Sequence, residues 1–290
     1  MILYLTHLLN GVLMIALPIV LGIYLSRRYR LGWRLWWIGA GTFVLSQVGH
    51  IPFNIAVGQL FNRGFLPAPA PEYQLLFNSI FAGLSAGLWE ESFRYGAFRW
   101  WAKDARSWSK ALMMGNGHGG IEAILLGVLV LINYIIMWVA QGMDLSAYIP
   151  ASQLPVFEEQ VAIYWSIPWY DSILGALERV FALTIQISLS VIVLQVFLRR
   201  NLVWLLIAIG WHALVDALSV YLVSTQSIYT VEAVIGVLAL ISLGVIFLLR
   251  SPDPVPAVEE TPPMITTLPD PAIVDTEIDD PYRLDQTRYQ

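Results

Sequence analysis

The chain has 290 residues, 57% of them apolar and only 13% charged, with a mean hydropathy of +0.65. A soluble domain carries about 25% charged residues, so that class is excluded and an integral membrane protein is indicated. There is no cysteine, which excludes a disulfide framework, a thiolate metal site and a cysteine nucleophile. The net charge of −5 is misleading, because residues from Ser251 onward hold nine acids against two bases and leave the remainder at +2. The acidity belongs to a tail rather than to a binding surface, and no nucleic-acid partner is expected.

A span needs about 20 apolar residues. Seven are predicted, making an all-α polytopic bundle over residues 1–250, at roughly 3–25, 34–60, 73–97, 118–140, 172–198, 202–223 and 229–249. The first has no basic leader and is followed by arginines, so it reads as an uncleaved anchor. The second carries His50 and Asn54 and could break at Pro52, which would raise the count to eight. The third holds Glu90, Glu91 and Arg94 in WEESFRY. The fourth opens with His118 and Glu122 behind a run of glycines, expected to give an irregular backbone and free amides at the membrane edge. Between the fourth and fifth, VFEEQVAIYWSIPWY suggests a short amphipathic helix at the interface. The fifth holds Glu178, Arg179 and Gln186, the sixth His212 and Asp216, and the seventh Glu232. Residues 251–290 are acidic and proline-rich and are expected to be a disordered cytoplasmic tail.

Orientation follows from the basic residues. Arg27, Arg28, Arg30, Arg34, Arg99, Lys103, Arg106, Lys110, Arg199, Arg200 and Arg250 all fall at one end of the expected bundle, and the opposite loops hold only Arg63. The positive-inside rule then places the N-terminus outside and the C-terminus in the cytoplasm. The expected location is a bacterial cell membrane.

A charge in mid-span costs about 2.5–3.5 kcal/mol on insertion scales, so such residues face the bundle interior and carry pairing or function. Spacing predicts local pairs. His118 and Glu122, His212 and Asp216, and Glu90 and Arg94 are each i,i+4, and Glu91 and Arg94 are i,i+3. Glu178 and Arg179 are adjacent and are expected to pair elsewhere. His50 and Glu178 fit a common cluster less easily than the others. Two carboxylates, two histidines with acidic partners and an arginine on three spans suit activation of a water molecule. A glutamate would be the base, and the histidines would stabilise an oxyanion or bind a metal such as zinc. Polar residues in spans also mark ion pathways, so the competing reading is an ion transporter or a catalytically degenerate scaffold.

These motifs carry a resemblance. EESFRY resembles the EExxR-type motif of the YhfC family of intramembrane proteases, GHGGIEAIL its second signature, LERVFALTIQISLSVIV its next segment and WHALVDAL its last, over roughly residues 40–220. That family is related to the CAAX-protease and bacteriocin-processing superfamily. The resemblance implies a membrane-embedded peptidase acting on a membrane-embedded or membrane-proximal peptide near the cytoplasmic half of the lipid bilayer. It implies Glu90 or Glu91 as the water-activating carboxylate and Arg94 as its positioning partner. His212 and Asp216 would stabilise the oxyanion, and His118 and Glu122 would belong to the site. His118 and His212 are the candidate zinc ligands. Two departures stand out: the glutamate-to-arginine spacing is one residue shorter than in the wider superfamily, and Gln186 stands where a histidine is expected.

Overall fold

A computed structural model describes residues 1–251 of the chain, and the expectation of a disordered tail falls outside them. The elements are α1 (Ile2–Tyr29), α2 (Arg34–Asn62), α3 (Gln74–Gly96), α4 (Trp108–Ala140), α5 (Leu154–Ser166), α6 (Leu174–Leu198), α7 (Val203–Thr225) and α8 (Ile228–Leu248), with no strand among the described residues. The seven long helices stand where seven spans are expected. Among the described residues, five helices are long and apolar enough to cross a membrane: α1, α4, α7, α8 and the stretch Asp171–Leu198 that contains α6. The other two, α2 and α3, bring Gln47, His50, Asn54, Glu90, Glu91 and Arg94 into the bundle, and that polarity lowers their hydropathy.

The connections explain the antiparallel order. Arg30 takes the left-handed conformation (φ 54°) that ends α1, and its N–H returns to the Ser26 carbonyl. Asn201 caps α7 by accepting the Val203 N–H at 2.9 Å, and Ser227 caps α8 by accepting from Thr230. Arg34 at the start of α2 reaches the α3–α4 loop, donating to Asp104 at 3.0 Å and to the Trp101 carbonyl at 2.6 Å. That hydrogen bond holds the Asp104 carboxyl below its usual range.

Three expectations are corrected. First, α2 runs unbroken through Pro52, so no eighth span forms. The eighth helix is α5, which at 13 residues is too short to cross and matches the expected interfacial helix. It is held by the Trp165 indole, which donates to the Met137 carbonyl at 3.1 Å, and by Tyr164 stacked on His7 at 4.1 Å. Second, α4 begins at Trp108, so His118 lies ten residues inside a regular helix, about 15 Å from its start, and does not open it. Third, Gly115, Gly117, Gly119 and Gly120 give neither an irregular backbone nor free amides.

Their role is close approach. A Cβ on Gly117 would sit 2.0 Å from the Trp36 carbonyl oxygen, and one on Gly39 would sit 2.0 Å from that of Met114, so α2 and α4 cross backbone to backbone. Gly83 and Gly87 do the same for α3 against α7, with Cβ positions 2.3 Å from the Ala213 oxygen and 2.7 Å from that of Ile209. Lipid tails are as apolar as leucine, so contact packing rather than water exclusion holds such helices together.

The packing is uneven along the bundle. At the arginine-rich end Trp36, Phe98, Met113, Met114, Leu189 and Val193 are buried and close that side. Large apolar side chains face outward along the whole bundle, among them Trp37 and Leu206 near that end and Ile55, Leu129 and Val223 towards the other.

Candidate functional site

Glu90 and Glu91 leave α3 side by side in different directions. Glu91 is wholly buried. Its Oε2 lies 3.2 Å from Arg94 Nε, an ion pair not aligned as a hydrogen bond, and its Oε1 pairs with His212 Nδ1 at 2.8 Å. The rest of the Arg94 guanidinium is committed to α6. It donates to the Gln186 carbonyl at 2.6 Å, to Ser190 Oγ at 2.7 Å and to Gln186 Oε1 at 2.5 Å. Arg94 therefore serves Glu91 and Gln186, and the spacing-based pairing with Glu90 does not form.

Glu90 instead points into the space between helices. Gln47 of α2 donates to its Oε1 at 3.0 Å, while Oε2 stands 2.9 Å from His118 Nε2 and 3.8 Å from His212 Nε2. His212 Nε2 is also 3.5 Å from Asp216 Oδ2. His118 thus pairs across the bundle with Glu90 rather than with Glu122 one turn along its own helix. Glu122 pairs with Arg179 at 2.9 Å, and Arg179 holds the adjacent Glu178 as well, contrary to the expectation that those neighbours part. Arginine is long enough to serve a residue beside it and one on α4 together.

Tautomers follow from the partners. The Thr42 hydroxyl donates to the Gly39 carbonyl at 2.5 Å, so it accepts from His118 Nδ1, 2.7 Å away. His212 Nδ1 faces the Glu91 carboxylate and so carries a proton as well. In its neutral form each imidazole therefore turns an Nε2 lone pair towards Glu90. Lone pairs on two histidines and two carboxylates, Glu90 and Asp216, face one another, an arrangement that calls for a proton or a cation between them.

Imidazole and carboxylate are donor types that a zinc-type ion takes. Imidazoles ligate through one nitrogen while the other is oriented by a hydroxyl or carboxylate, as Thr42 and Glu91 do here. Among the described residues no three such groups stand at metal-holding separation as placed. Asp216, with 38% of its side chain exposed, is the loosest of the four.

The glutamine in place of an expected histidine has a defined orientation. Arg94 fixes Gln186 Oε1, so Nε2 faces the cavity, with only long contacts of 3.4 Å to Glu90 and to Glu122. It offers an N–H where a histidine would offer a ligand. Gly119 makes room for it, since a Cβ there would lie 2.7 Å from Gln186 Cβ.

The structure brings Glu90, Glu91, Arg94, His118, His212 and Asp216 into one network, with Glu122 joined through Gln186 and Arg179. His50 and Glu178 are linked to it despite expectation. His50 Nδ1 contacts the Gln47 amide oxygen at 3.3 Å and Nε2 contacts Ser85 at 3.0 Å, while Glu178 connects through Arg179. Thr42, Gln47 and Ser190 carry no charge and escape a search for charged residues. The signal for Gln47 was its spacing with His50 and Asn54, which share one face of α2. A cavity of about 320 Å³ reaches Glu90 between Phe43 and Gln47 of α2 and Leu125 and Leu126 of α4.

A family model described as YhfC intramembrane metalloprotease matches residues 13–239. The chain is 32% identical over 213 residues to a protein of Bacillus subtilis (strain 168) named "Uncharacterized membrane protein YhfC", spanning 71% of this chain and 80% of that one. No solved structure matches.

Proposed function

The chain belongs to the YhfC intramembrane metalloprotease family, and from that premise we propose a membrane-embedded endopeptidase that hydrolyses a membrane-embedded or membrane-proximal peptide with water activated at Glu90. The observation that carries this reading is the facing of two Nε2 lone pairs and the Glu90 carboxylate in one buried spot. His118 and His212 are the residues that would hold a zinc ion there, with Asp216 able to join them. Such an ion, when bound, lowers the pKa of its water and polarises a peptide carbonyl.

The protein's own groups divide the remaining work. Glu90 Oε2 takes a proton from the attacking water while Gln47 keeps Oε1 in place. The water oxygen bonds to the scissile carbonyl carbon, and the carbonyl oxygen takes the negative charge. The Gln186 N–H donates to that oxygen. Glu90 then returns its proton to the amine as the C–N bond breaks. Glu91 is closed off by Arg94 and His212 and acts as a positioning residue, which favours Glu90 as the base. By the positive-inside rule the arginine-rich end faces the cytoplasm, in a bacterial membrane like that of the Bacillus relative.

The test is a reconstituted protein with membrane-anchored test peptides and zinc analysis. Wild type is expected to hold zinc and cleave, Glu90→Gln to hold zinc without cleaving, and His118→Ala/His212→Ala to lose both. Cleavage by Glu90→Gln at the wild-type rate would overturn the assignment.

A further inference from the structure

Resting on that peptidase reading, a second cavity gains a role. It measures about 150 Å³ and lies between α6, α7 and α8, lined by Glu178, Arg179 and Ala182 on one side and Val215, Ser219 and Ile235 on the other. At its inner end it shares Glu122, Gln186, His212 and Asp216 with the cavity that reaches Glu90. Two openings therefore meet at the site. Beyond the shared residues, the one between α2 and α4 adds Phe43, Gln47, Glu90, Leu125 and Leu126, and the other adds Glu178, Arg179 and Ser219 among apolar walls.

We propose that the cavity between α6, α7 and α8 is the inlet through which water reaches Glu90, entering from the arginine-poor end of the bundle, and that the larger cavity between α2 and α4 is left for the peptide. Three observations support it. Side-chain exposure runs from Glu91 at 0% and Glu90 at 8% through Glu122 at 22% to Glu178 at 37% and Asp216 at 38%, and the two most exposed both line this cavity. Glu178 stands four residues inside the arginine-poor end of α6 and Ser219 six residues from that end of α7, so the cavity extends towards that end. The opposite route is shut by Trp36, Phe98, Met113, Met114, Leu189 and Val193. Finally, the cavity has room for several water molecules and offers them Glu178, Arg179, Asp216 and Ser219 as partners.

Arg179 is what makes a hydrated path stable at this depth. It balances Glu122 and Glu178 together, so neither carboxylate is left as an isolated charge in the bundle. The site sits nearer the arginine-rich end yet is supplied from the other.

The chain has no cysteine, so single thiols can be placed without background. Ala182→Cys and Ser219→Cys line the inlet, and Ile132→Cys, as far from its helix end as Ala182, faces outward. Lys103→Cys marks the arginine-rich face. Each variant in sealed vesicles of known orientation is treated with a charged, membrane-impermeant methanethiosulfonate. The two inlet thiols are expected to react about tenfold or more faster than Ile132→Cys, because only a hydrated thiol ionises, and only from the face opposite to Lys103→Cys. Rates equal to that of Ile132→Cys, or reaction from the Lys103 face, would overturn the inlet. Labelling needs no substrate, so its failure leaves the peptidase reading standing, and absence of cleavage leaves the inlet standing.

Discussion

The two halves of the bundle are filled differently. In the arginine-rich half, α2 and α4 touch through Gly39 and Gly117, and the space between helices is filled by Trp36, Phe98, Met113 and Met114. In the arginine-poor half, α1 and α4 touch through Gly11 and Gly127, but the helices leave two cavities lined by carboxylates, an arginine and a few amides. The polar network lies on the boundary. Glu91 and Arg94 belong to the packed side and are fully buried, whereas Glu90, one residue away, belongs to the open side. The difference teaches that one half holds the geometry still while the other admits what reacts.

The comparison is broken most directly at Glu90. Glu90→Gln is expected to reduce cleavage of a membrane-anchored peptide by about 10²–10⁴-fold while the protein remains folded, as loss of a general base does. A comparable loss of fold, read from thermal unfolding in detergent, would place Glu90 on the structural side instead. Gln186→Leu should lower the rate by about 10²–10³-fold as an oxyanion donor is lost. Gln186→His, which keeps an N–H, should recover part of it, and a rate insensitive to both would remove Gln186 from the site.

The packed half is tested by methyl groups. Gly117→Ala forces a carbon against the Trp36 carbonyl and should cost about 1–3 kcal/mol or more. Gly210→Ala, with nothing within 4 Å, should be close to neutral or stabilising. Equal unfolding temperatures for the two would contradict the tight α2–α4 crossing.

The smallest effect is expected at the exposed Arg34–Asp104 pair. Asp104→Asn should cost less than about 1 kcal/mol at neutral pH. Because Arg34 holds the folded Asp104 carboxyl below its ordinary value, the contribution is present above the unfolded pKa of about 3.9. It fades as the pH falls through the folded value, so wild type and variant should converge in acid. A difference that persists there would mean packing rather than charge.

The helices were legible because apolar runs of spanning length have few alternatives, and the interfacial α5 was legible from its aromatic and acidic mixture. The start of α4 was not. GNGHGG reads as a helix breaker in isolation, whereas here its missing side chains are what allow α2 and α6 to press against it, and that contact sustains the helix. The site residues could be collected from the sequence, since charges in spans are conspicuous. Their partners could not. Spacing along one helix proposed His118 with Glu122 and Glu90 with Arg94, while the bundle pairs His118 with Glu90 and Glu122 with Arg179. Residues one turn apart share a face, but a face buried among four helices offers better partners across the gap. Thr42, Gln47 and Ser190 were passed over because they carry no charge and so do not stand out in a span as Glu90 or Arg94 does.

The placement of Glu90, Glu91 and Arg94 on α3 has a consequence for how the protein is made. A charge in a lone span is costly to insert, and α3 carries three charged residues within five positions. Glu91 and Arg94 pair within α3 and Gln47 of α2 is already made, but the other partners are synthesised afterwards: His118 follows Glu90 by 28 residues, the Gln186 carbonyl follows Arg94 by 92, and His212 follows Glu91 by 121. Biogenesis therefore has a waiting period, in which α3 has left the ribosome and part of its stabilising network does not yet exist. The last third of the membrane domain acts as a licence for the first, and a nascent chain stopped before α7 would hold an unfinished span that quality control has reason to recognise.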